Sequence, residues 1–286
     1  SVTGLNSLST YSYYVAAVDA TSTSSNSNTV SATTLADQSI ADYRSVSSGN
    51  FSSASNWQFN SDGAGTWVAA TQAPGSSNNI TIQSADSINM DADLSINATK
   101  VMTVNGKINV NTRVISGAGS FILAPASSIY TGNALGLSGS LTTTVATRDT
   151  TANYIFNGTV AQLANNLPSN NRGNIVIDNP AGVTLVANRS INAPGSLIVK
   201  ANAQLLFGTG VTTNTYNING TGNLVVESGA TLQVTNAAGI TNDGLTGSIR
   251  LTGSRSFGSN LNFVFTKNDA VNQSKTGSSF GTEITS

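Results

Sequence analysis

The chain has 286 residues, 12 Lys plus Arg against 13 Asp plus Glu, a net charge of −1 and only 9% charged residues, far below the ~25% of an ordinary globular protein. That balance argues against nucleic-acid binding, which needs a basic stripe to replace phosphate counterions, and no run of Lys or Arg marks a membrane-surface patch. With no cysteine and no histidine the chain has no disulfide framework or thiolate metal site, and it lacks both the commonest general base and the commonest transition-metal ligand. Ser, Thr, Asn and Gly take the place of charge. Mixed with 38% hydrophobic residues, they favour strands and tight turns over disorder, which reads as all-β. No apolar run reaches the ~20 residues of a membrane-spanning helix and no signal peptide opens the chain, so any export signals lie outside this segment.

Residues 1–34 begin the chain with Tyr11, Tyr13, Val15 and Ala17 in alternation, the pattern of a half-buried strand, followed by a Ser/Asn-rich turn and a short strand around Val30. The Thr10-Tyr11 pair, the Tyr13-x-Val15-x-Ala17 run and the closing SNTVSATT resemble the C-terminal half of a fibronectin type III domain. The resemblance places Tyr11 at the corner of a β-sandwich. Half a sandwich cannot bury its inner face, so the expectation is a piece of a longer polypeptide or strands that pack on another chain.

Residues 35–78 read as a linker and then a cap, with Trp57, Trp67 and Pro74 in a Gly/Ser-rich setting. Paired tryptophans in such a setting either plug the open end of a β-fold or form a platform for a sugar ring. Both readings stay open for Trp57 and Trp67, and plugging is the commoner.

From Asn79 short strands follow one another in quick succession. NNITI, DSINM, LSINA, KVMTV, GKINV, TRVIS, GSFIL and SSIYT run to Thr131, and GNIVID, GVTLV, GSLIV, AQLLF, GNLVV, ATLQV and GSIRL run from Gly173 to Leu251. This is tighter than the spacing of hairpin sandwiches. It predicts a right-handed parallel β-helix over residues 79–286, with about 20 residues per coil and about ten coils. A two-sheet sandwich array is the alternative. Gly often stands just before a strand, where a corner calls for positive φ, and Asn can stack in hydrogen-bonded ladders.

A longer repeat overlies the short one. Asn153-Tyr154-Ile155-Phe156 matches Asn262-Phe263-Val264-Phe265 near the far end, and Gly139-Ser140-Leu141 matches Gly247-Ser248-Ile249. The second copy is incomplete, so the chain reads as a slice of a long repetitive protein. The end after Phe265 carries no cap comparable to residues 43–78. Neighbouring repeats of the same chain, or identical subunits docked head-to-tail, are therefore the expected partners.

The segment YIFNGTVAQLANNLPSNNRGNIVIDNPAGVTLVANRSINAPGSLIV, together with YRSVSSGN and TWVAAT, resembles repeat regions of very large surface and secreted proteins of Bacteroidetes. Many of these leave the cell by type IX secretion and some serve as adhesins. A Gly-His pair common in that family is missing at Ser84-Ala85-Asp86-Ser87. The resemblance implies an extracellular or cell-surface location. It also implies O-glycosylation at Ser87 of Asp86-Ser87-Ile88 and at Thr150 of Asp149-Thr150-Thr151.

Catalysis would need clustered acids and a base. The local acid cluster is Asp86, Asp91 and Asp93, with Arg113 the nearest Arg in sequence, as a polysaccharide lyase would require for calcium and proton abstraction. Asp91 and Asp93, or Asp62 in NSDGAG, are the candidate calcium ligands, although neither stretch has the spacing of a known calcium loop. Thr142–Thr144 and the VTTNT run at 211–215 raise an ice-binding face, which would need Thr ladders at the coil period. The expected function is non-catalytic: an adhesin stalk or filament building block with no resident cofactor and surface glycans as candidate ligands. A lectin or polysaccharide lyase is the alternative.

Overall fold

The computed structural model describes residues 4–208, 216–236 and 238–265. The chain is almost all β, and most of its strands are parallel. The helical elements among the described residues are a 3-10 turn at Ala54–Asn56 and a short helix at Leu137–Ser140.

A hairpin of Thr10–Tyr13 and Val30–Thr33 stands apart as a two-stranded antiparallel sheet. Hydroxyls tie it across the strands, Thr10 to Thr33 at 2.8 Å and Ser12 to Ser31 at 2.9 Å. The Tyr11 hydroxyl accepts a hydrogen bond from the Asn6 amide at 2.8 Å, an upstream reach of the kind seen at a sandwich corner. The expected burial is not found. The strand ends at Tyr13, and Val15, Val18 and Val30 are 74%, 74% and 65% exposed, because among the described residues no second layer covers the hairpin.

The remaining strands form four sheets of eight, nine, five and four strands. Strands Tyr43–Ser45, Trp57–Asn60 and Trp67–Ala69 pair antiparallel at one edge of the eight-stranded sheet. Beyond them every pairing within these sheets is parallel and joins strands far apart in sequence. In the nine-stranded sheet Ile88 lies beside Ile108, and Leu224 lies beside Arg255. From Tyr154 onward the chain visits the nine-, five- and four-stranded sheets in turn, as in Asn153–Phe156, Gln162–Ala164 and Asn170–Asn171.

Alternation fixes which side chains go inside. In Ser196–Val199, Gln204–Phe207, Asn223–Val226 and Thr231–Val234 every second residue is buried. Register then stacks these residues into columns. One runs Ile88, Ile108, Ile129, Tyr154, Ile175, Leu197 and Leu224. All seven belong to one apolar core that extends from Tyr43 to Leu251. Each fully buried aliphatic side chain of this kind contributes about 1.5–3 kcal/mol relative to exposure.

Two further columns run beside it. Asn153 accepts from the Asn174 amide, Asn174 from the Ser196 amide and Asn223 from the Ser254 amide, at 3.0, 3.1 and 3.0 Å. The column alternates Asn with Ser, and of these contacts only Asn153–Asn174 joins two asparagines, so the Asn ladder expected from composition is found in part. Of the glycines that open the strand phrases, Gly182 and Gly247 have the expected positive φ, 98° and 91°, whereas others act differently. Gly173, Gly195, Gly222 and Gly253 are not among the positive-φ residues. A Cβ on them would lie 2.0 Å from the Ala152 carbonyl oxygen, 2.4 Å from that of Gly173, 2.8 Å from that of Gly195 and 2.4 Å from that of Gly222. They are glycine because each sits against the backbone one level below.

The two copies of the aromatic phrase do not share a sheet. Tyr154 lies in the nine-stranded sheet between Ile129 and Ile175, whereas Phe263 pairs with Leu232 in the five-stranded sheet. Gly139 is in the short helix, while Gly247 precedes strand Ile249–Leu251. The long repeat is thus one of strand-forming sequence and not of position, since an alternating aromatic strand suits any sheet that faces the core. The tail after Phe265 and the 211–215 Thr run lie outside the described residues.

Candidate functional site

The residues singled out from sequence do not converge. Trp57 is buried, donates its indole N–H to the Phe51 carbonyl at 2.9 Å, and meets the Phe51 ring edge-on at 5.4 Å. Its ring is therefore not available as a sugar platform. Trp67 is half-buried, with the Arg44 guanidinium 4.6 Å from its ring centroid. Arg44 is steered there by two hydrogen bonds to Gln58 Oε1, at 3.1 and 2.8 Å, so a cation already covers one face of the ring.

The aspartates are engaged separately, each by its own partners. Asp86 accepts from Ser45 Oγ, and Ser45 Oγ in turn accepts from the Gln83 amide at 2.8 Å. Asp91 takes the Ser52 hydroxyl and amide, and Asp93 takes the Val114 amide at 3.0 Å. The Ser52 hydroxyl first, and more weakly the charge of Arg113, hold the Asp91 carboxyl below its usual range. Asp62 accepts from the Ala64 and Thr66 amides and is held down to about 2, chiefly by Thr66. Three aspartates turned toward three different segments do not form a carboxylate cage, and among the described residues no group of three or more acids is placed to hold a metal ion.

Ser87 lies on strand Ser87–Asn89, half-exposed, its amide bonded to Ser48 Oγ at 2.8 Å. Thr150 is exposed at a turn that Asp149 shapes by accepting from the Thr151 amide and hydroxyl, both at 2.7 Å. Thr142 stacks on Ser116, which is aligned with Ser95, and Thr143 stacks on Gly117. These neighbours do not make a ladder of threonines.

A different group comes together that sequence reading passed over. Strand Leu141–Arg148 ends the eight-stranded sheet, and strand Asn170–Asn171 begins the four-stranded one. The Arg172 and Gly173 amides bond to the Thr150 carbonyl, at 2.6 and 3.0 Å, so the segment leading to them lies next to Leu141–Arg148. Among the described residues no backbone hydrogen bond joins Asn166–Asn171 to that strand. Pro168 and the positive φ of Asn166 break the ladder there.

Two arginines flank this interruption. Arg148 is aligned with the buried Leu123, and Arg189 with the buried Ile218, so both backbones send their side chains to the core side. Arg148 reaches Asn166 Oδ1 at 3.0 Å and Arg189 the Asn188 carbonyl at 3.0 Å, yet the Nε of each is buried without a hydrogen-bond partner. Burial lowers both guanidinium pKa values from the usual Arg range. Arg172, exposed, follows the same segment. Among the described residues the ion pair present is Lys200–Glu227, at 2.6 Å, and it involves none of these arginines. The available sequence signal was a charged residue in step with apolar ones: Arg148 two places after Ala146, and Arg189 two before Ile191.

No protein-family model, no curated protein and no solved structure matches this chain.

Proposed function

We propose that the chain from about Asn79 winds as a right-handed parallel β-helix, and that it is a non-catalytic structural segment of a cell-surface or extracellular bacterial protein, an adhesin stalk or a filament building block. The observation that carries this reading is the parallel register that links strands distant in sequence, Ile88 to Ile108 and Leu224 to Arg255 among them, over one continuous core. Crossovers between parallel strands are right-handed in nearly every case, and a three-sheet itinerary repeated along the chain is the signature of a solenoid. A solenoid extends reach at little cost, because each coil needs only its neighbours. Nine strands at ~4.8 Å correspond to a rod of roughly 40 Å. The non-catalytic reading is supported by acids engaged one by one, each by a different segment. Partners in this reading are neighbouring repeats of a longer chain, or identical subunits stacked head-to-tail. Exposed Thr150 and half-exposed Ser87 remain the proposed O-glycosylation positions.

Small-angle scattering and electron microscopy of the purified chain test the shape: an elongated particle is expected, and a compact one would overturn the rod. Antibody labelling of intact cells tests the setting. Surface or medium signal is expected, and signal confined to permeabilised cells would refute an extracellular role.

A further inference from the structure

We propose that the interruption between Leu141–Arg148 and the four-stranded sheet is an anion-binding site for an acidic polysaccharide, with Arg148 and Arg189 contacting its carboxylate or sulfate groups and Arg172 at the rim. This rests on the reading of the chain as an extracellular, non-catalytic protein and gives that protein a ligand class.

Three features point the same way. The first is uncompensated charge. A partly buried cation gains from a carboxylate partner, yet neither Arg148 nor Arg189 meets an acid among the described residues. Asp149, next in sequence to Arg148, is turned onto Thr151.

The second is geometry. Asn166–Asn171 lies beside Leu141–Arg148 on one side, through the Thr150 contacts, and pairs with strand Arg189–Ile191 on the other. Both arginines thus border the same segment, Arg148 through its bond to Asn166 Oδ1 and Arg189 through the pairing of its strand with Asn170–Asn171. Their stems run along the core side, while the tips reach polar atoms at the surface. A planar guanidinium held this way suits two-point contact with a carboxylate or sulfate.

The third is the floor between them. Asn166, Ser169 and Asn170 are exposed and supply amide and hydroxyl groups for sugar hydroxyls. Leu167 is buried beneath and anchors the segment to the core.

The experiment is a binding titration of the purified chain at low salt with oligogalacturonate, dextran sulfate, neutral dextran and an oligoglutamate peptide. Binding to one or both acidic glycans is expected, weakening as salt rises. Which of the two binds tells carboxylate from sulfate recognition. Arg148→Ala with Arg189→Ala should lower affinity at least tenfold, Arg172→Ala severalfold, and the distant exposed Lys107→Ala not at all. No binding to either acidic glycan, equal binding of neutral dextran, tighter binding of the peptide, or an unchanged affinity in the double variant would each overturn the proposal. If the double variant loses its β-sheet circular dichroism, Arg172→Ala decides: a severalfold loss sustains the site and wild-type affinity refutes it. An elongated particle that binds no acidic glycan separates failure of this site from failure of the rod.

Discussion

The hairpin of Thr10–Tyr13 and Val30–Thr33 and the nine-stranded parallel sheet are both built of short strands that mix hydroxyl residues with Val and Tyr, to which the sheet adds Ile, Leu and Asn. They differ in what lies against them. The hairpin satisfies its backbone locally and leaves its valines in water. The parallel strands have no local partner at all. Each must wait for a strand much further along the chain, but gains a core side chain at every second position. Local pairing gives a strand its hydrogen bonds, and only layering gives it hydrophobic stabilisation. The stack should therefore unfold as the cooperative unit and the hairpin should contribute little to its stability.

The largest contrast is a truncation in each region. Ile108→Ala removes a fully buried side chain held between Ile88 and Ile129 and should cost about 3–5 kcal/mol. Val30→Ala in the hairpin should stay within about 0.5 kcal/mol. Urea unfolding of the two variants checks this, and equal losses would mean that the hairpin packs on something. Next comes Gly195→Ala, whose new methyl would lie 2.4 Å from the Gly173 carbonyl oxygen. About 1–3 kcal/mol of destabilisation is expected from overpacking, read from the same transition.

Polar ladders come third. Asn174→Ala removes the acceptor of the amide of half-buried Ser196 and should cost about 1 kcal/mol. Ser12→Ala cuts an exposed hydroxyl contact across the hairpin and should be near neutral. Matching thermal shifts for the two would refute the idea that burial gives the ladder its worth.

The smallest effect concerns pH. Asp62, exposed in a hairpin turn, is held at about 2 by Thr66 and Ala64, below the ~3.9 of an unfolded aspartate. Its contribution is complete above about pH 4 and disappears as pH falls through about 2. The thermal midpoints of wild type and Asp62→Asn should therefore differ slightly at pH 5 and converge at pH 2, with the wild type higher before they meet.

Much of this protein was legible in the chain itself. Composition announced an all-β molecule, and the short strand phrases from NNITI to GSIRL mark most of the strands found between Ile80 and Leu251. The reason is that period-two alternation and turn residues act within a few neighbours. The Asn and Ser column needs only that a side-chain acceptor recur at the same strand position, as Asn153, Asn174 and Asn223 do.

What depended on tertiary structure was everything set by residues brought together from distant sequence. Which sheet a strand joins separated Tyr154 from Phe263 despite their matching phrases. Backbone approach between levels, and not φ, made Gly173, Gly195 and Gly222 necessary. Trp57 was drawn into the core by Phe51, while Asp86, Asp91 and Asp93 were turned toward separate segments. Arg148 and Arg189 looked like unrelated strand residues, far apart in the chain. They came to face one interruption because parallel register adds up the lengths of intervening turns, a sum that no local pattern encodes.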